Sequence, residues 1–501
     1  MCSSTGFVTR FAATVNGMTT NSATTASRAA ALRSAQLSPG ARNHAVVLGG
    51  SIAGLLAARV LADHYAHVTI VERDRLAAQR QRRGVPQGHH AHGLLPRGAL
   101  VLEELLPGFA ADVAAAGGYV GDALADARWH LGSGSLARGR SGLRVIAASR
   151  PLIEGTIRAR VTSLPNVTIL DGYDIVGLGR TPDNRRVISA RVTSVLGDGS
   201  QILPADLVID ATGRGSRMPR WLVELGYAPP RQDRVNLGLT YTSRVFDVPQ
   251  ETLGADLAIV TSRSPDGGRI GAVVQRIEGG PARVVVSLSG ILGERPPADL
   301  DDFIRFTKLL HAPDTHDLVD AGEPVGGAFT FRVPSYTRRR YEELTDFPAG
   351  VLVMGDAACM FSPTFAQGMT TAALGASVLG QHLREGEPDA GRFFRALAEV
   401  LDPAWAMAAG GDLAIPGVTG AEAPPPPLTP QYLADLRQAA TKDPALAAAM
   451  LRVSALIDPP LELRRLELVN RVNAIVNVSP AAAYWRAMSA HDTTVSIAAT
   501  R

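Results

Sequence analysis

Between His44 and Asp74 the chain carries two apolar patterns in turn, HAVVLGGSIAGLLAARVLADHYAHVTIVERD. His44–Leu48 is a short run rich in β-branched residues, as a buried strand requires. Ile52, Leu55, Leu56 and Val60 then recur at helical spacing, and a second strand-like run ends on Glu72. Gly49-Gly50-Ser51-Ile52-Ala53-Gly54 forms the turn between strand and helix. A βαβ unit of this kind predicts a dinucleotide site. Glycine lets the backbone approach a pyrophosphate, and the free N–H groups and dipole at the helix start favour negative charge. Glu72, eighteen residues after Gly54, is placed to accept hydrogen bonds from a ribose diol. Ser51 stands where the GxGxxG fingerprint has its second glycine.

Downstream, Ala77–Leu95 reads as a loop dense in arginine and histidine, leading into a helix that ends near Pro107. Its histidines, His89, His90 and His92, have no cysteine or carboxylate at ligand spacing, so a polar loop beside a cofactor is expected rather than a metal site. Arg82 and Arg83 suit pyrophosphate oxygens. Gly117–Arg144 has no clear period. Ser149-Arg150-Pro151 opens a helix to about Thr162, with Ser149 as its cap. Strands are expected at Val167–Leu170, Val187–Leu196 and Gln201–Leu203, the last two joined by a Gly197-Asp198-Gly199 turn. A buried strand then runs through Leu207–Asp210 into Ala211-Thr212-Gly213.

From Val235 to Gly290 the pattern turns β-rich, broken by polar turns such as Ser264-Pro265-Asp266-Gly267-Gly268, and an inserted antiparallel sheet is expected. A helix over Leu300–Leu310 and a Pro/Gly-bearing connection close the insertion. Val351–Met354 restores the parallel-strand character, followed by Gly355-Asp356, Pro363, Gly368 and a small-residue helix from about Met369. Beyond Arg384 the chain reads as helical, interrupted by a proline run at Pro424–Pro427 that is expected to be a rigid linker.

Composition narrows the partners. The 501 residues include 50 Lys and Arg against 47 acids, a net charge of +3, which favours neither nucleic acid nor an anionic membrane. Cys2 and Cys359 alone exclude a disulfide framework, and a reducing cytoplasm is the simplest compartment. The first forty or so residues are rich in Ser, Thr and Ala and read as a flexible extension, within which Met18 offers an alternative start. No apolar run is long enough for an integral membrane segment.

Three separated stretches together resemble one family. GGSIAG with Glu72, DLVIDATGRGS and VLVMGDAACMFSPTFAQGMTTA look like the motifs of FAD-dependent (group A) monooxygenases of the para-hydroxybenzoate hydroxylase and squalene epoxidase type. The resemblance covers roughly residues 43 to 385. It implies an α/β chain: a Rossmann-type FAD-binding domain (43–230 and 346–385) behind an extension (1–42), with an inserted antiparallel β-sheet substrate domain (231–345) and a C-terminal helical segment (386–501). It further implies that Gly49, Ser51, Ile52, Ala53 and Gly54 approach the FAD pyrophosphate and that Glu72 and Arg73 lie at the adenosine ribose. Arg82, Arg83, Gln87, Arg150, Thr212 and Gly213 would contact the cofactor. Gly355 and Asp356 would hold the ribitol, and Pro363, Gly368 and Met369 would shape the loop beside the isoalloxazine.

The middle motif carries Thr212-Gly213 where aromatic hydroxylases have Asp-Gly, a pair linked in the family to the nicotinamide cofactor. The implied electron source is therefore NADPH, NADH, or reduced flavin from a partner reductase, with O₂ as co-substrate. RRGVPQGHHAHGLL, SRPLIEGTIRARV and DPALAAAMLRVSALIDPP look like an actinobacterial branch that includes epoxidases of polyether antibiotic pathways, the monensin and lasalocid type. That implies epoxidation of a hydrophobic polyene polyketide through a flavin C4a-hydroperoxide.

Aromatic hydroxylation is the alternative, and it would benefit from a base. Tyr241, His311, His316 and Tyr336 are candidates, and none is singled out by spacing. The Trp-x-Trp-x-Ile-Pro signature of flavin halogenases is absent. An isoprenoid reductase and a non-enzymatic lipid-binding protein of the same fold stay open.

Overall fold

The computed structural model describes residues 42–76, 82, 84–132, 134–197, 199–263, 268–422 and 425–476. Of the expectations above, Arg83, Asp198, Ser264–Gly267, Pro424 and the extension other than Arg42 lie outside the described residues. Arg42 itself opens the first strand.

Five parallel strands form the sheet that organises the site, in the order Val351–Val353, Leu207–Asp210, Arg42–Leu48, Tyr65–Glu72 and Val167–Asp171. The first strand lies between the second and the Leu207–Asp210 strand, so the chain order reverses across it. Such a reversal leaves a crevice outside the carboxyl ends of the strands. The register brings those ends level: Leu48 pairs with Asp210 and Val71, Asp210 with Val353, and Glu72 with Asp171. Ala45–Leu48 and Val208–Ile209 are fully buried, as strands covered on both faces must be. Helices Ile52–Leu61 and Gly368–Glu385 pack against each other on this sheet and bury Leu55, Leu56, Ala373 and Leu379.

A second sheet of eight strands includes Arg231–Asp247, Ile270–Arg276, Arg283–Gly290 and Glu323–Arg340. Its side chains alternate. Phe246, Val284, Val286, Val274 and Ile259 face the helix pair Leu300–Thr307 and Asp314–Asp320, and Phe303 and Leu318 complete that core. The intervening residues, Gln275, Ser287, Ser289 and Val260 among them, face the crevice.

Two sequence expectations change here. The segment after Leu310, read as a Pro/Gly connection, is the 18-residue strand Glu323–Arg340. It tolerates Pro324 and Pro334 because it is an edge strand, where a missing N–H need not break a ladder. The sheet is also not purely antiparallel. Ala127–Leu131, from the unassigned Gly117–Arg144 stretch, pairs in parallel with Ala258–Thr261.

Helices Ala390–Leu413, Pro430–Ala440, Pro444–Ser454 and Leu466–Val476 complete the described residues. The last three share a small core with Leu124, Leu136 and Leu143, so the helical segment is fastened to the strand region before residue 150. The proline run does not lead away from the protein as a linker would: Pro425, Pro426 and Pro427 lie in the cavity wall.

Candidate functional site

A cavity of about 1580 Å³ starts at the carboxyl ends of the parallel strands and runs between the eight-stranded sheet and the C-terminal helices. Gly49, Ser51, Ile52, Ala53, Glu72, Arg73, Arg82, Gln87 and Arg150 line its first part. Thr212, Gly213, Asp356, Pro363, Gly368 and Met369 line the adjoining wall. Among the described cofactor-binding candidates, only Gly54 and Gly355 lie outside the lining.

Both glycines act from behind the wall. A Cβ on Gly54 would fall 1.8 Å from the carbonyl oxygen of Gly49, so glycine lets the first helix press onto the turn. Gly355 has φ +63°, and its Cβ would come 2.6 Å from that of Ala53. Gly49 needs its glycine for both reasons at once, with φ +103° and a Cβ position 2.6 Å from the Ala211 oxygen.

Ser51, the departure from the fingerprint, has a specific partner. Its hydroxyl donates to Glu154 Oε2 at 2.9 Å and accepts from Arg150 Nη2 at 3.0 Å. It therefore makes no side-chain cap to helix Ile52–Leu61, whose first N–H groups stay directed at the cavity. Helix Gly368–Glu385 also lacks a side-chain cap; Gln367 at its start donates through Nε2 to the Ser454 oxygen at 2.8 Å, and its Oε1 accepts no backbone N–H of the helix. A Cβ on Gly368 would meet open space. Two uncapped helix starts thus face one chamber.

Glu154 organises the charges around the turn. Arg82 Nη1 lies 2.5 Å from its Oε1, Arg158 Nη2 2.8 Å from Oε1, and Arg150 Nη2 3.1 Å from Oε2. Burial alone would push this carboxyl up, but Arg150 and Arg82 outweigh it and hold it down at about 2. Arg82 also pairs with Glu72 at 2.5 Å, and Glu72 Oε2 accepts the Gly50 N–H at 2.8 Å. Arg82, expected to meet phosphate, and Arg150, expected to contact the cofactor, are thus both held by a carboxylate that sequence reasoning passed over. Glu154 falls on the inner face of a helix whose cap, Ser149, was recognised, and that amphipathic position was the available signal.

Asp356 lines the cavity and its carboxylate has no hydrogen-bond partner among the described residues. Burial pushes it above the usual carboxylate range, although Arg150, Arg214 and Arg339 pull the other way. Asp210, fully buried one strand away, is occupied instead. It accepts Thr212 N–H at 2.9 Å, Thr212 Oγ1 at 2.6 Å and Ser216 Oγ at 2.6 Å, and so fixes the Thr212-Gly213 turn. Glycine cradles, open helix N-termini and one unpaired acid supply what the pyrophosphate and ribitol of FAD require.

Beyond this cradle the chamber is bounded by Trp129, Leu131, Leu257, Leu428, Met450 and Leu463. The histidine loop docks on the sheet: His90 Nδ1 lies 2.7 Å from Ser243 Oγ, and the Ala91 N–H donates to Ser287 Oγ at 2.8 Å. Burial pushes His90 down to about 4, so its ring is neutral near pH 7. His89 stacks on Phe329, and His92 Nδ1 lies 2.8 Å from the His90 oxygen. Of the candidate bases, Tyr241 lines the cavity, and burial raises it far above the usual phenol range. Tyr336 is buried against Trp405 and also raised, whereas His316 sits beside Thr307 on the outer helix pair. His311 is not part of the cavity lining. Arg263 Nη2 pairs with the fully buried Asp412 Oδ1 at 2.5 Å, a link between sheet and helix that carried no sequence signal.

Comparison with known proteins agrees with this geometry. A Mycobacterium tuberculosis protein, "Protein Rv3254", is 35% identical over 460 residues, covering 86% of this chain and 94% of that one. A flavoprotein/dehydrogenase from Cytophaga hutchinsonii shares the fold at TM-score 0.59 and 16% identity, over 82% of this chain and 92% of that one. PqsL from Pseudomonas aeruginosa, described as a probable FAD-dependent monooxygenase, matches at TM-score 0.51 and 18% identity, over 81% of this chain and 100% of that one. The model of the FAD binding domain family matches residues 42–392, and the chain belongs to that family.

Proposed function

We infer that this protein is an FAD-dependent monooxygenase that epoxidises alkenes in an extended, largely apolar small molecule. The observation that carries the reading is the cavity. It joins the glycine and Asp356 cradle to a chamber whose far walls are largely apolar, so that one continuous space of about 1580 Å³ has room for FAD and an extended apolar molecule beside it.

Gly49, Ser51, Ile52 and Ala53 would hold the pyrophosphate, with Gly54 packing the helix against them. Glu72 and Arg73 would lie at the adenosine ribose. Arg82, Gln87, Arg150, Thr212 and Gly213 would line the dinucleotide, and Gly355 would position Asp356 at the ribitol. Pro363, Gly368 and Met369 would flank the isoalloxazine. Bound FAD, once reduced by NADPH, NADH or a reductase partner, supplies the activation of O₂. The chain's own work is to hold the alkene in line and exclude water, tasks suited to Trp129, Leu131 and Leu257.

The cavity's titratable groups favour an alkene over a phenol. A phenol benefits from a base poised near neutrality, whereas the buried His90 ring is pushed down to about 4 and Tyr241 is held protonated. Epoxidation needs no such base. The test is a competition between a linear polyene and a simple phenol, offered to the reduced holoenzyme in air. Epoxide from the polyene alone supports this reading; a catechol from the phenol with no epoxide would replace it by aromatic hydroxylation.

A further inference from the structure

Arg437 is the arginine in the chamber that the fold leaves uncompensated. It lies on helix Pro430–Ala440, one turn after Leu433, and both line the cavity together with Leu436, Met450 and Val453. The guanidinium has neither an ion pair nor a hydrogen bond to any described residue, although the other arginines withdrawn into the wall have acids. Arg82 and Arg150 meet Glu154, and Arg263 meets Asp412. Arg73 and Arg214 also lack an acid, but both are exposed, so water serves them. Arg437 is half-buried among aliphatic side chains, and burial holds it below the usual arginine range with no neighbouring carboxylate pulling back. The acids nearest in sequence are otherwise engaged: Asp435, on the same helix, accepts from Gln431 Nε2 at 2.9 Å, Asp443 pairs with Arg471, and Asp458 with Arg452. A cation placed against an apolar wall without a counter-charge destabilises the empty protein. A ligand that brings the anion removes that penalty.

We propose that Arg437 docks a carboxylate at the polar end of the substrate, so that the molecule taken into this chamber is a long-chain unsaturated carboxylic acid rather than a neutral hydrocarbon. The inference rests on the reading of the cavity as the substrate chamber. A planar guanidinium receives a carboxylate through two parallel N–H donors, which fixes one end of a flexible chain and so sets which alkene lies nearest the Asp356 end.

The test is calorimetric titration of the FAD-loaded protein with oleic acid and with methyl oleate, below their aggregation limits. Wild type should bind the acid at least about tenfold tighter than the ester, the ratio expected for one charge-assisted contact. Arg437→Gln should bring the two affinities together, and Arg437→Lys should keep part of the preference. Arg437→Gln should also melt no lower than wild type in the absence of ligand, because a structural arginine would lower the melting point on removal. Equal affinities in wild type, a preference that survives in Arg437→Gln, or no binding of either probe would overturn the proposal. Oxygenation is scored separately. An acid preference that depends on Arg437, with no oxygen added to the oleate, would leave the docking site standing and count against the monooxygenase reading.

Discussion

Asp412 is completely buried, and its Oδ1 sits 2.5 Å from Arg263 Nη2, joining helix Ala390–Leu413 to the segment that follows strand Ala258–Thr261. Burial pushes the Asp412 carboxyl up, while Arg263, Ser362 and Tyr336 beside it pull it back. Removing one partner of such a pair strands the other, at a cost of about 3–5 kcal/mol. Asp412→Ala should therefore lower the denaturation midpoint sharply. The double variant Arg263→Met/Asp412→Leu should recover most of that loss, as read by a chemical-denaturation double-mutant cycle.

Gly54 and Gly49 set a second constraint. A Cβ at Gly54 must displace the Gly49 carbonyl or the whole helix, since the two would otherwise be 1.8 Å apart. Gly54→Ala should cost more than about 2 kcal/mol and should release flavin. Gly368→Ala, where a Cβ meets open space, should fold as well as wild type and disturb only flavin affinity. Thermal melting together with flavin absorbance after gel filtration separates the two cases.

Asp356 tests the cofactor cradle from the polar side. Its carboxylate has no partner among the described residues, so Asp356→Ala leaves no orphan behind and should fold normally. Loss of one hydrogen bond to a charged group should weaken FAD binding at least about tenfold. Fluorescence titration of the apoprotein with FAD gives the number, and an unchanged affinity would remove Asp356 from the site.

Acid sensitivity follows from His90, from His92, which burial pushes down to about 3, and from Glu154. His90 has its folded pKa pushed from 6.5 down to about 4, so the stability it contributes is complete above pH 6.5 and is lost as pH falls toward 4. Glu154 is held down at about 2 against a usual 4.5, so its contribution persists further and is lost between pH 4.5 and 2. Denaturation midpoints should decline in two stages on acidification. His90→Gln should shrink the first stage, with His92 carrying what remains of it, and leave the second.

The parallel sheet and its turns were readable because their physics is local. A β-branched run, glycines that let backbone approach backbone, and an acid in register each leave a mark in a few consecutive residues, as in Val46–Gly54 and Gly355–Asp356. The strand Glu323–Arg340 was hidden because Pro324, Gly326, Gly327 and Pro334 mimic a loop. Only its place at the sheet edge makes them tolerable. Glu154, Asp412 and Arg437 were hidden for another reason. Each owes its importance to what lies opposite in space, 72 residues away for Glu154 and Arg82 and 149 for Asp412 and Arg263. The proline run misled because composition records stiffness and says nothing about the surface against which a stiff segment is laid.

The central claim, oxygenation inside this cavity, is tested most directly by the mass of the product. The FAD-loaded protein, reduced without oxygen and mixed with a linear polyene under isotopically labelled dioxygen, should yield a product carrying one labelled oxygen atom per turnover. A product without the label, or flavin that reoxidises while the polyene is recovered unchanged, would contradict the account.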